Sequence, residues 1–174
     1  MRSRTYVVES PHLRLRKDEI VLPDGDRVSD YYVRESNGFV IVFALTRDDR
    51  VVVVHQYRYG LDAVTLELPA GTIDDDEHHL DCAKRELIEE TGFTASRWEL
   101  LLTAPSDPVR SNSMMHAYIA YDAQRTHEQD LDEGEDVEWE LISVDAFREA
   151  LEHGRIGAVP SIAVAYAALQ RLGR

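Results

Sequence analysis

The chain has 174 residues, a formal net charge of −14 and a hydrophobic fraction of 44%, enough for one domain with a sizeable core. So acidic a chain, with no compact Lys/Arg tract to offset the charge, is a poor polyanion binder, and no nucleic-acid partner is expected. No segment approaches the roughly 18 apolar residues of a membrane helix and the first thirty residues lack a signal-like apolar run, so a cytoplasmic protein with no membrane partner is expected.

Cys82 is the only cysteine, which excludes an internal disulfide or a multi-cysteine metal site and agrees with a reducing compartment. The first elements are strands: Thr5 to Val8, Leu13 to Val21 and Val28 to Val33 are rich in β-formers, and Pro23-Asp24-Gly25-Asp26 supplies a turn. They predict a small N-terminal antiparallel β region over residues 1–36, either a sheet or an arm, ahead of a main domain over 37–174. Gly38 to Leu45 and Arg50 to Gln56 are apolar runs joined by Thr46-Arg47-Asp48-Asp49, which predicts neighbouring buried strands.

From Glu77 to Thr91 the period becomes helical, with Leu80, Ala83 and Leu87 on one stripe and Gly92 placed to end the helix. Asp74, Asp75 and Asp76 suit its positive N-terminal end. Strands follow at Trp98 to Thr103, Met114 to Tyr121 and Val137 to Ser143, then helices near Val144 to Glu152 and Pro160 to Arg171. The acidic stretch Glu128 to Glu138 is expected to be a mobile loop leading into a strand. The interleaving predicts an α/β architecture, a mixed sheet covered by helices.

The Glu77 helix carries the informative spacing. Glu86 and Glu90 stand four apart, so they lie about 40° apart on the helical wheel and roughly 6 Å apart along the axis, with Glu89 beside them. Like charges so placed repel by a few tenths of a kcal/mol, which either solvent with Lys84 and Arg85 or a hard divalent cation can relieve. The larger frame is Gly71, five residues, Glu77, seven residues, then Arg85-Glu86-Leu87-Ile88-Glu89-Glu90-Thr91-Gly92-Phe93. At average residue frequencies this pattern arises by chance in about one chain in ten million.

The frame resembles the complete Nudix box, position by position. The resemblance implies an α/β/α sandwich whose loop-helix-loop binds Mg²⁺ or Mn²⁺ against a diphosphate. It makes Glu86 and Glu90 metal ligands and Glu89 a further ligand or catalytic support, while Glu77 and Arg85 orient the helix through charge-assisted hydrogen bonds. Val53-Val54-His55-Gln56-Tyr57-Arg58 and Glu67-Leu68-Pro69-Ala70-Gly71 are similar to segments of the ADP-ribose pyrophosphatase and nucleoside diphosphate sugar hydrolase branch. That likeness places Arg58 on substrate phosphate and the Ala70 carbonyl in the metal shell. Without it, Arg58 is a surface ion pair at a strand end. Asp132-Glu133-Gly134-Glu135-Asp136 resembles the acidic loop that supplies the general base, with Glu135 first and Glu133 in reserve. A solvated loop without a role is the other reading.

Where the branch has Ser-Pro-Gly-any-Ser, this chain has Asp107-Pro108-Val109-Arg110-Ser111. Pro108 and Ser111 remain as substrate-binding candidates, but Val109 resists the left-handed geometry open to glycine, so a differently shaped loop is expected. Tyr31 and Tyr32 are either strand packing or a base platform, and His78 and His79 are expected to be solvated. The resemblance implies a homodimer with exchanged N-terminal strands, hydrolysing ADP-ribose or a related nucleoside diphosphate sugar to a nucleoside monophosphate and a sugar phosphate. GDP-mannose or another sugar nucleotide is the alternative substrate, and a non-catalytic nucleotide sensor of the same fold the alternative role.

Overall fold

The structure is a computed structural model that describes residues 3–132 and 134–174. The chain divides into two compact units, Met1–Gly38 with Ala104–Met115, and Phe39–Thr103 with His116–Arg174.

The first unit contains β1 (Ser3–Glu9), β2 (Arg14–Val21) and β3 (Arg27–Glu35), an antiparallel sheet in that order. The β2–β3 turn closes as its composition predicts. Gly25 takes φ 97°, Gly25 N donates to Leu22 O at 2.9 Å, and Asp26 N donates to Asp24 Oδ1 at 3.1 Å. Arg16 bonds both Asp18 and Glu35 on the sheet, and Tyr6 Oη donates to Glu35 at 2.9 Å, so the carboxylate of the buried Asp18 faces a cation.

The second unit is built on β4 (Phe39–Leu45), β5 (Arg50–Arg58), β6 (Ala63–Glu67), β7 (Ala70–Thr72), α1 (His79–Thr91) and β8 (Phe93–Thr94). After them come β9 (Arg97–Pro105), β10 (Met114–Tyr121), β11 (Gln124–Arg125), β12 (Val137–Ser143), α2 (Val144–Glu152) and α3 (Val159–Leu172). A mixed seven-stranded sheet runs β12-β5-β4-β10-β9, with β6 added to β5 and β7 to β4. The expected β4–β5 hairpin is present, pairing Ala44 with Val52 and Leu45 with Val51.

Strand alternation divides β4 between two cores. Val40, Val42 and Ala44 join Val52, Ala83, Leu87 and Phe93 beneath α1, while Phe43 meets the α2 residue Phe147 edge-on at 5.5 Å. A strand buried on both faces needs an unbroken apolar run, and Val-Ile-Val-Phe-Ala-Leu supplies one. Helices thus cover both faces, as the α/β/α expectation requires. The predicted limits of β10, β12 and α2 agree with those observed, and Pro160 stands in the first turn of α3.

Two local expectations are corrected. The helix begins at His79 rather than Glu77, because Asp76 adopts φ 63° and His78 is extended and caps the helix through Leu80 N. Asp74–Asp76 therefore form a turn, in which Asp74 N donates to Glu77 Oε2 at 3.1 Å. The acidic stretch is not a free loop at its start. Asp130 N donates to Glu89 O at 3.0 Å, and the Gln129 amide donates to Glu90 O at 2.6 Å and Val137 O at 3.1 Å.

Candidate functional site

The inner face of α1 turns Cys82, Ala83, Leu87 and Thr91 into the core, and the same face carries Glu86 and Glu90. Both glutamates are buried, at 9% and 2% exposure, against the usual behaviour of a charged side chain. Glu90 accepts a hydrogen bond from Ala70 N at 3.0 Å, which joins the helix to β7. Gly71 lies against Glu86 so closely that a Cβ there would stand 1.8 Å from Glu86 Cδ. The box glycine is thus required by space, since it does not take a positive φ. Gly92 is required by conformation: at φ 74° it caps α1 and donates to Ile88 O at 2.7 Å.

Burial pushes the Glu86 carboxyl up to about 7, and the charges of Glu89 and Glu135 push the same way while Arg85 opposes them. Burial raises Glu90 to about 8, with Glu86 and Glu135 adding to the effect against the Ala70 N–H. Two desolvated carboxylates that disfavour each other's charge are a donor set suited to a hard cation.

Arg85 is the cation the protein itself supplies. Its Nε and Nη2 each donate to Glu77 at 2.9 Å, Nη1 donates to both Glu86 and Glu89 at 2.8 Å, and Nη2 also reaches Thr72 O at 3.2 Å. This fork holds Glu77 down to about 2. Among the described residues no three His, Cys, Asp or Glu side chains already form a metal-sized cluster. A divalent ion held by Glu86 and Glu89 would have to compete with Arg85 Nη1 for their oxygens. The hard oxygens of these carboxylates and the desolvation of Glu86 and Glu90 fit such an ion.

Arg58 ends β5 and is half exposed, donating through Nε at 2.9 Å and Nη2 at 2.7 Å to Glu67. Its charge is felt by Glu90, and the charges of Glu90 and Glu135 act on it in turn. Glu135 accepts from Asp132 N at 3.2 Å. It acts electrostatically on Glu86, Glu90 and Arg58, which brings the acidic loop to the α1 carboxylates. Glu133 lies outside the described residues.

Pro108 and Ser111 belong to the first unit. Ser111 Oγ donates to Arg34 O and accepts from Ser113 N, both at 3.1 Å. Val109 avoids the left-handed region, because Asp107 Oδ1 accepts Val109 N and Arg110 N at 3.2 Å and builds the turn by side-chain bonding. Tyr31 donates to Val109 O and lies under the Arg110 guanidinium, while Tyr32 stays partly exposed.

Two groups escaped sequence reasoning. Glu67, at 3% exposure, was visible only as part of a motif segment, although an acid nine residues beyond Arg58 across a hairpin was a usable signal. The expectation of solvated histidines is corrected for His79. It is half-buried, bonds Tyr118 Oη through Nδ1 and stacks on His116 at 4.2 Å with the rings 6° from parallel. Burial and the neighbouring imidazoles lower both histidines. A separate cavity of about 340 Å³, lined by Phe93, Trp139, Leu141, Arg47 and Arg125, contains none of the motif carboxylates.

Residues 37–162 match the NUDIX domain, and residues 2–33 match the nucleoside diphosphate sugar hydrolase N-terminal domain. The methanol dehydrogenase activator of Bacillus methanolicus is 32% identical over 160 residues, 91% of this chain and 86% of that protein. The ADP-ribose pyrophosphatase of Bacillus subtilis (strain 168) is 31% identical over 122 residues, 70% of this chain and 65% of that protein. The GDP-mannose pyrophosphatase of Cronobacter sakazakii (strain ATCC BAA-894) is 30% identical over 152 residues, 83% of this chain and 75% of that protein. A crystal structure of an ADP compounds hydrolase shares the fold, with a TM-score of 0.86 at 21% identity over 99% of this chain and 92% of that one.

Proposed function

The chain belongs to the NUDIX domain family, and on that premise we propose that it hydrolyses the diphosphate bond of a nucleoside diphosphate sugar, with ADP-ribose first. The products are a nucleoside monophosphate and a sugar phosphate. The observation that carries this reading is the pair of buried, mutually repelling carboxylates Glu86 and Glu90 beside a glycine with no room for a side chain.

Glu86, Glu89, Glu90 and the Ala70 carbonyl would hold Mg²⁺ or Mn²⁺. Bound there, the ion supplies Lewis acidity at a phosphoryl oxygen and lowers the pKa of a water. Arg58 receives a substrate phosphate, and Glu135 accepts the proton of the attacking water, with Glu133 in reserve. Glu77 and Arg85 fix the position of α1, and Pro108 and Ser111 shape the substrate side. In this reading residues 1–36 are an arm exchanged in a homodimer, residues 37–174 are the hydrolase domain, and the enzyme works in the cytoplasm on small molecules. No helix is long and apolar enough to cross a membrane among the described residues.

The test is incubation with ADP-ribose, GDP-mannose and further nucleotide sugars with Mg²⁺, products being separated by chromatography. Selective release of AMP and ribose phosphate supports the first substrate, and preference for GDP-mannose supports the alternative. Inertness toward the whole panel defeats the hydrolytic reading. A second reading, a regulator that senses nucleotide without turnover, draws on the likeness to a protein named as an activator. The complete set of box carboxylates favours turnover.

A further inference from the structure

We infer that Glu67 is a positioning residue that clamps Arg58 from one side and so presents the other fork of its guanidinium to a substrate phosphate. Arg58 and Glu67 come together through hairpin register. β5 pairs with β6 as Arg58 with Ala63, Gln56 with Thr65 and Val54 with Glu67, so the side chains of Arg58, Thr65 and Glu67 share one face. Arg58 lies back along that face, with Nε donating to Glu67 Oε1 and Nη2 to Oε2 in two parallel bonds.

Glu67 is itself held. It is almost fully buried, and Thr65 Oγ1 donates to Oε1 at 2.5 Å. A guanidinium carries five N–H groups in a fixed plane. The clamp takes the edge formed by Nε and Nη2, which leaves the outer edge, Nη1 with the second hydrogen of Nη2, as a two-donor fork matched to a phosphate. No other hydrogen bond occupies that fork among the described residues.

The clamp also has an electrostatic role. Apart from Glu67, the acids whose charge acts on Arg58 are Glu90 and Glu135, the groups assigned above to the ion and the proton. A released Arg58 would swing toward them, so Glu67 keeps the phosphate-binding cation separate from the catalytic acids.

The kinetic test rests on the proposed diphosphate hydrolysis, and a spectroscopic arm does not. With ADP-ribose and Mg²⁺, Glu67→Gln is expected to raise KM about 10-fold, the loss of one charge-assisted bond, and to leave kcat within about twofold. In a double-mutant cycle its effect is expected to vanish in the Arg58→Ala background. A KM effect that persists undiminished there makes Glu67 merely structural and overturns the inference. In ¹⁵N spectra, the Arg58 Nε–Hε signal, assigned by its absence in Arg58→Ala, is expected to exchange slowly in the wild type and fast in Glu67→Gln. Equal exchange in both proteins overturns the clamp even if no nucleotide sugar is turned over. Should circular dichroism show Glu67→Gln unfolded, Glu67→Asp, which withdraws the carboxylate by one methylene, carries the same measurements.

Discussion

Replacing Gly71 by Ala adds one methyl group to the tightest point of the site. The new Cβ would stand 1.8 Å from Glu86 Cδ, 2.0 Å from Oε1 and 2.2 Å from Oε2. Ordinary contact begins near 3.4 Å, so the carboxylate must retreat by about 1.6 Å. It has little freedom to do so, because Glu86 is buried and bonded to Arg85 Nη1 at 2.8 Å. A displacement of about 1 Å in a catalytic group costs on the order of 100-fold in rate. Turnover of ADP-ribose with Mg²⁺ should therefore fall at least about 100-fold. Overpacking should also cost about 1–3 kcal/mol of stability, seen as a lower Tm in thermal unfolding. No strain from φ contributes, since Gly71 is outside the left-handed region. If Gly71→Ala retains a rate within about threefold of the wild type, the argument that Glu86 must occupy that cradle is wrong.

Three further outcomes are expected. Glu135→Gln should lower kcat by about 10²- to 10⁴-fold with little change in KM; steady-state kinetics checks this, and a wild-type kcat excludes Glu135 as the general base. Mn²⁺ at about a hundred times its dissociation constant should add roughly 2.7 kcal/mol to the wild type and raise Tm by roughly 5–10 °C, while Glu90→Gln should show no such rise in the same scan. Glu77 is held at about 2, below its ordinary value of 4.5, so its pairing with Arg85 stabilises the fold fully above pH 4.5 and is lost as pH falls toward 2. Denaturant titrations of Glu77→Gln should show a deficit of about 1 kcal/mol at pH 7 after solvent screening, vanishing near pH 2; a deficit independent of pH refutes the assignment.

What was legible in the sequence was whatever short-range pattern decides. Val144–Glu152 shows a helical period behind the capping Ser143, and Val137–Ser143 and Met114–Tyr121 are compact β-rich runs; their limits were readable without tertiary knowledge. Glu86, Glu89 and Glu90 were readable because one helix carries all three. The strands Ala63–Glu67 and Ala70–Thr72 were not, because five and three residues have no periodicity of their own and take their conformation from pairing with β5 and β4. The same holds for Arg58 with Glu67, which meet through sheet register, and for His79 with His116, which meet where α1 packs on β10. The start of α1 was misread because the left-handed turn at Asp76 overrides the helical propensity of Glu77.

The attachment of the acidic stretch to α1 bears on how this segment can vary over time. Its leading part is bolted to the helix end through the carbonyls of Glu89, Glu90 and Gly92, and it re-enters the sheet at Val137. On the sheet side Asp136 O also accepts from Tyr57 N at 3.3 Å, so insertions or deletions should be absorbed between Asp130 and Asp136 without shifting either anchor. The carboxylate proposed as general base could then shift by a residue or two along this segment while the helix keeps its place.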